Sequence, residues 1–60
     1  MNIVTITDNG ITYKAKWYNE TYEDYATIGE YMTDTKAIKA AKEYIDMYVN
    51  GPYHFIYDEA

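Results

Sequence analysis

The 60-residue chain contains no Cys, Arg, Ser, Gln or Leu, and it has only one His, one Pro and three Gly. Without cysteine it can form neither a disulfide nor a thiolate metal centre, which are the usual supports of very small domains. Without serine or cysteine it also lacks the two commonest nucleophiles of covalent catalysis. We therefore expect no enzymatic activity and no cofactor.

Basic residues are scarce as well: five lysines stand against ten acidic residues, which gives a net charge of -5. A nucleic-acid groove needs positive charge along the backbone path, so we do not expect direct nucleic-acid binding. No segment approaches the about 18–20 apolar residues of a membrane span, and the first residues lack the pattern of a signal peptide. These absences predict a soluble, cytosolic protein that does not contact the membrane.

Tyrosine, in contrast, is abundant, with nine copies in the chain. A tyrosine ring can pack at the rim of a core or in an interface while its hydroxyl stays in water. Together with the acidic charge, this composition favours contact with another protein. The frequent residue types are those that A/T-rich codons encode, which favours an origin in a low-GC bacterium, its phage or a mobile element.

Two β-rich runs, residues 3–7 and 11–18, flank Asn9-Gly10, and this pattern predicts a hairpin with a two-residue type I′ turn. The corresponding register pairs Ile6 with Tyr13, Val4 with Ala15 and Asn2 with Trp17. It produces one apolar face, which can be covered by a helix, and one mostly polar face. A third strand is predicted over residues 25–32, with Gly29 as a weak point or a bulge.

A helix is predicted over residues 35–50, capped by Thr33 or Asp34. Its apolar stripe consists of Ile38, Ala41, Ile45 and Tyr48 or Val49. Asn50-Gly51-Pro52 should end it, with Gly51 in the left-handed conformation. A last strand over residues 53–57 then precedes the acidic tail Asp58-Glu59-Ala60. The prediction is one α+β domain over residues 1–60, with a small antiparallel sheet in the order β-β-β-α-β and one helix packed on one face.

Such a small domain rarely gains more than about 3–5 kcal/mol from its core. Self-association would bury further apolar surface, so we expect a homodimer or a higher homo-oligomer. The last strand is the best candidate for the oligomer interface, because an unpaired apolar edge strand invites pairing. Its three candidate residues are Tyr53, Phe55 and Tyr57.

The titratable residues match no catalytic or metal-binding pattern. His54 could act as a general base only beside a nucleophile and an orienting carboxylate, and an exposed strand residue is the favoured interpretation. The acidic residues Glu20, Glu23 and Asp24 lack the spacing of a calcium-binding loop, so we expect no metal site.

The candidate partner-binding site consists of five residues in the segment 20–25: Glu20, Tyr22, Glu23, Asp24 and Tyr25. Alternating phenols and carboxylates can bind a surface rich in Arg and Lys through ion pairs, cation–π contacts and hydrogen bonds. The alternative is a solvated loop whose charges only keep the protein soluble.

The three strands followed by the helix starting at Thr33-Asp34-Thr35 resemble the β-β-β-α module of HicB-type antitoxins. That family opens its helix with a T-x-x-E-A element; Thr35 and the alanines match it, whereas Lys36 and Ile38 do not supply the acidic residues. By size and acidity the chain is also similar to phage-encoded anti-defence proteins such as anti-CRISPRs, although it shares no motif with them.

The leading hypothesis is a non-enzymatic inhibitor, encoded by a phage or mobile element, that binds a bacterial host or defence protein with a basic surface. The alternative is a HicB-like antitoxin or regulatory module without its DNA-binding part.

Overall fold

The computed structural model describes residues 2–59 as four strands and one helix. They are β1 (Asn2–Asp8), β2 (Tyr13–Asn19), β3 (Asp24–Tyr31), α1 (Asp34–Tyr44) with a π-helical continuation (Ile45–Val49), and β4 (Tyr53–Glu59). The strands form one sheet in the order β3-β2-β1-β4, and α1 packs over β3, β2 and β1. The predicted α+β class with a single helix is thereby confirmed.

The sheet is mixed rather than purely antiparallel. Adjacent strands pair antiparallel from β1 to β2 and from β2 to β3, so β3 runs in the same direction as β1. After α1 the chain enters β4, which pairs with β1 in parallel. A parallel neighbour requires a crossover connection rather than a hairpin, and here α1 provides it.

The first hairpin has a longer loop than the Asn9-Gly10 pattern predicts. Ile6 pairs with Ala15 and Val4 with Trp17, which is a shift of two residues from the predicted register. The prediction of a two-residue type I′ turn was wrong. Such a turn needs a positive φ at both central residues, but only Gly10 has one, with φ 87°, and the φ of Asn9 is not positive. Asn9 instead closes a four-residue loop, since its Oδ1 accepts hydrogen bonds from the backbone N–H groups of Ile11 and Thr12.

The core lies between α1 and the sheet. Among residues 2–59, six are fully buried, namely Val4, Ile6, Ala15, Ala37, Ala41 and Ile45. Partly buried apolar side chains surround them, among them Tyr13, Trp17 and Ile38. Because the register moved by two residues, every side chain kept its face of the sheet. The predicted packing of the first hairpin under the helix is therefore confirmed.

The third strand contains a bulge at Ile28. Ala15 pairs with Gly29 and Lys16 with Thr27, so Ile28 has no direct partner on β2. Beyond this extra residue, the side chains that would have faced solvent face the helix instead. Tyr31 rather than Met32 therefore packs against the core. A bulge beside Gly29 agrees with the prediction, and Met32, beyond the end of the strand, is 69% exposed.

The helix begins at a Thr33 N-cap, whose side chain accepts a hydrogen bond from the Lys36 N–H. At its end an i+5 hydrogen bond from Asn50 N–H to the Ile45 carbonyl forms the π-helical turn. The wider turn brings Val49, rather than Tyr48, back to the core. Asn50 takes the left-handed conformation with φ 56°, so the prediction that Gly51 fills this role was wrong.

The last strand is longer than predicted, because Asp58 and Glu59 pair with Thr7 and Asp8 as part of β4. Their assignment to an acidic tail was wrong, and Ala60 lies outside the described residues. Within residues 2–59, no helix has the length and apolar character that crossing a bilayer requires.

Candidate protein-binding site

The candidate site lies at the tip of the β2–β3 hairpin. Asn19 pairs with Asp24, which leaves residues 20–23 as a four-residue connection. Asn19 Oδ1 accepts a hydrogen bond of 3.0 Å from the Thr21 N–H and begins the turn. Glu23 completes it in the left-handed conformation with φ 52°. Local hydrogen bonding thus defines the course of the backbone at the tip.

All five predicted partner-binding residues lie together on this tip and are exposed: Glu20, Tyr22, Glu23, Asp24 and Tyr25. We refer to them as the hairpin patch. Tyr22 is 78% exposed. It lines a shallow cleft of about 240 Å³ with Asp24 and Tyr25. The predicted residues therefore form one contiguous surface with two rings and three carboxylates.

The charges along this stretch of the sequence are of one sign, although Lys16 on β2 lines a cleft with Tyr25 on the face of the sheet. Residues 17–35 contain no lysine or arginine and five acidic residues, namely Glu20, Glu23, Asp24, Glu30 and Asp34. Glu30 forms an ion pair of 3.9 Å with Lys14 on the neighbouring strand, near the opposite end of β3 from the tip. The hairpin patch therefore presents a negative surface at one end of the sheet.

One tyrosine of the patch is held by a ring contact. Tyr18 and Tyr25 are direct cross-strand partners, and their ring centroids lie 5.2 Å apart in an edge-to-face arrangement. Aromatic pairs of this geometry gain energy beyond the area they bury. Tyr25 is thus pre-positioned on the strand, whereas Tyr22 projects from the loop.

A second exposed apolar surface, which sequence analysis missed, lies between α1 and β3. This groove has a volume of about 250 Å³ and is lined by Ile28, Tyr31, Ala40, Glu43, Tyr44, Met47 and Tyr48. A series of ring contacts leads into it from the core, with 5.9 Å between the centroids of Trp17 and Tyr44 and 5.0 Å between those of Tyr44 and Tyr48. Tyr48 is 70% exposed, although its spacing placed it in the helix stripe.

The only available signal for this groove was the surplus of apolar residues at the C-terminal end of the helix. Tyr44, Met47, Tyr48 and Val49 are more than one stripe can bury, so some of them had to face solvent. Which ones do so depends on the π-helical turn, and an i+5 hydrogen bond has no clear signature in the sequence.

The three residues predicted to form the oligomer interface lie on the terminal strand β4 and differ in exposure. Tyr53 and Phe55 pack against the core of their own chain, with their rings 5.4 Å apart. Tyr57 is 57% exposed. His54 is exposed on the opposite face, where it pairs with Ile3. Among residues 2–59, no three His, Asp or Glu side chains converge in a way that could hold a metal ion.

Tyr13 is the one residue in the described part of the chain with a clearly perturbed ionisation. Its cross-strand partner Asp8 raises the pKa of the phenol above its usual range, and desolvation and the carboxylate of Asp34 act in the same direction. These groups lie at the opposite end of the sheet from the hairpin patch, so this perturbation is unrelated to the candidate site.

Comparison with known proteins was negative. No family model, curated protein or solved structure matches this chain. Its function is therefore inferred from the chemistry of its own surface.

Proposed function

We propose that the protein is a non-enzymatic inhibitor of phage or mobile-element origin that binds a basic surface of a bacterial host or defence protein through the hairpin patch. The observation that carries this proposal is the exposure of three carboxylates and two tyrosines on one hairpin tip. This tip belongs to a stretch of 19 residues, 17–35, without a basic side chain.

The two kinds of side chain have complementary roles in such an interface. Exposed carboxylates attract a positively charged partner over a distance and accelerate association. Rigid aromatic side chains supply most of the affinity once they enter pockets on the partner. Tyr22 and Tyr25 fit the second role, because a tyrosine loses little conformational freedom on binding and its hydroxyl can still form a hydrogen bond. Arg and Lys on the partner can also contact these rings by cation–π interactions.

The residue inventory supports a role without catalysis. The chain contains no Ser or Cys nucleophile, and its one histidine is exposed on β4 beside Ile3. Binding, in contrast, requires only an exposed surface of defined shape and charge, and the hairpin patch offers one.

The test begins with a pull-down from a low-GC bacterial lysate, with the partner identified by mass spectrometry. Affinity is then measured for the double variant Glu23→Lys, Asp24→Lys and for the control Glu43→Lys, Asp46→Lys on the helix. Each reversal adds two charges, so both variants change the net charge from -5 to -1. We expect the hairpin variant to lose about tenfold or more in affinity and most of its salt dependence, while the control changes little.

A folded hairpin variant that binds as tightly as the wild type would contradict the assignment, and loss of binding only in the control would move the site to the helix. The aromatic contribution is tested in the same assay by Tyr22→Ala, with Tyr48→Ala as the control at a similarly exposed tyrosine. We expect about a tenfold loss or more for Tyr22→Ala only.

A further inference from the structure

The two edges of the sheet differ in how well they are protected against pairing with another strand. β3 contains the bulge at Ile28, and a bulge is a common means of preventing such pairing. β4 has no irregularity: all seven of its residues pair in unbroken register with β1. β4 is therefore the regular, open edge of the sheet.

This edge also exposes apolar side chains on both faces of the sheet. Tyr57 lies on the face covered by α1, but it is 57% exposed because it lies at the margin of the helix layer. Ile56 lies on the uncovered face, beside Thr5, and is 48% exposed. A long, regular and apolar edge of this kind is a predicted pairing site.

We infer that β4 pairs with β4 of a second copy of this chain, antiparallel and about a two-fold axis at Ile56, so that one eight-stranded sheet forms. Ile56 is the midpoint of Tyr53–Glu59, and this register therefore pairs the strand over its full length. It places Phe55 opposite Tyr57 of the second copy on the helix face. On the uncovered face it places Ile56 opposite its own equivalent and His54 opposite Asp58 of the second copy.

The sequence of the strand is self-complementary in this register. Phe55 meets Tyr57, and each histidine meets a carboxylate; such directly opposed pairs stabilise a sheet. Glu59 is opposite Tyr53, so no acid faces an acid even though each chain has a net charge of -5. This matters because like charges that are directly opposed destabilise a strand pair.

The neighbouring registers that keep the same faces do not pair His54 with Asp58. An axis at Phe55 places His54 opposite Ile56 and leaves Glu59 beyond the paired strand. An axis at Tyr57 places Asp58 opposite Ile56 and Glu59 opposite Phe55. Only the axis at Ile56 places His54 opposite Asp58 and pairs the strand over its full length, and these two features select it.

The dimer does not rest on the proposed function, because the hairpin patch is joined to β3, at the other edge of the sheet, although Tyr25 and Asp58 line one cleft on the uncovered face. Sedimentation velocity over a concentration series tests it, and we expect a species of twice the 7.1 kDa chain mass. Ile56→Glu should raise the dimer dissociation constant about tenfold or more, since two like charges then face each other. Thr27→Glu is the matched control, because Thr27 is exposed on the same uncovered face but on β3.

A charge exchange tests the register itself. His54→Asp should weaken the dimer, because the introduced carboxylate would face Asp58 of the second copy, and adding Asp58→Lys should restore it. Within one chain these positions are four residues apart along the strand, about 13 Å, so rescue has to occur between chains. Any one of four results would overturn the inference. They are a monomer at all concentrations, assembly beyond a dimer, a dimer that Thr27→Glu disrupts more than Ile56→Glu, and no rescue in the double variant.

Discussion

At the scale of single residues, the fold depends on very few large buried side chains. Three of the six fully buried residues are alanines, and the largest buried side chains are Ile6, Ile45 and Val4. Ile45 is the last of them along the chain and joins the helix to the π-helical turn. The core is therefore thin, and its few branched side chains stabilise it disproportionately.

Ile45→Ala should accordingly lower the free energy of unfolding by about 2–5 kcal/mol, since it removes buried methyl groups and leaves a cavity. Met47→Ala is the control, because Met47 is only two residues away but 72% exposed. Thermal or urea denaturation of both variants measures the difference. A melting temperature that Ile45→Ala leaves unchanged would rule out the described packing.

Tyr13 yields a prediction about pH. The Asp8 carboxylate raises the pKa of Tyr13 in the folded state above the ordinary value of 10.0. As the pH rises through the interval between the ordinary and the raised pKa, the unfolded chain releases the phenolic proton first. The folded state then binds more protons than the unfolded state, so stability falls as the pH rises through this interval.

Ring resonances of Tyr13, followed by NMR from neutral to alkaline pH, measure the shift. Asp8→Asn should lower the pKa of Tyr13 towards its usual range and reduce the alkaline loss of stability. Asp46→Asn changes the net charge equally and does not contribute to the shift, so it serves as the control. An unchanged Tyr13 titration in Asp8→Asn would contradict the assigned cause.

At the scale of elements, the ring of Tyr31 packs over Gly29 beside the bulge in β3. A Cβ atom at Gly29 would lie 2.5 Å from Tyr31 Oη and 2.9 Å from its Cζ, so the ring lies directly over the glycine. Gly29→Ala must therefore displace the ring, and we expect it to cost about 1–3 kcal/mol of stability.

A double-mutant cycle separates this clash from a backbone effect. In a Tyr31→Ala background, the cost of Gly29→Ala should largely disappear, because the ring that it displaces is no longer there. Equal costs in both backgrounds, measured by urea denaturation, would show that the glycine is needed for the backbone of the bulge instead.

The elements also show what the sequence could predict. Period-two alternation in the first hairpin and the helical stripe correctly predicted the faces of Val4, Ile6 and Ala15, because a two-residue shift of register preserves them. The loop length depended on the side-chain hydrogen bonds of Asn9, which compete with a type I′ turn. The direction of β4 depended on the path of the chain across the sheet, which no local pattern encodes.

At the scale of the whole molecule, rings surround a core that is too small to contain them. The hairpin patch could be predicted, because acidic and aromatic residues that alternate in a polar connection remain exposed in almost any fold. The groove beside α1 could not, since its lining comes from two elements whose relative position depends on the bulge at Ile28 and the π-helical turn.

The molecule thus has a candidate binding surface at each edge of the sheet: the acidic hairpin patch joined to β3 and the regular strand edge of β4. If the inferred dimer forms, it displays two hairpin patches, and a partner with two basic sites can bind both at once with increased overall affinity. Ile56→Glu would then reduce this avidity without changing the affinity of a single patch.

The central claim is that the hairpin patch is the binding surface, and NMR tests it most directly. The ¹⁵N-labelled chain is titrated with the basic partner that the pull-down identifies, and amide shifts are followed residue by residue. Our account predicts that the largest changes occur over residues 20–25, that they diminish with added salt, and that amides on the exposed face of α1 change little. Changes confined to α1 or β4, with residues 20–25 unaffected, would contradict it.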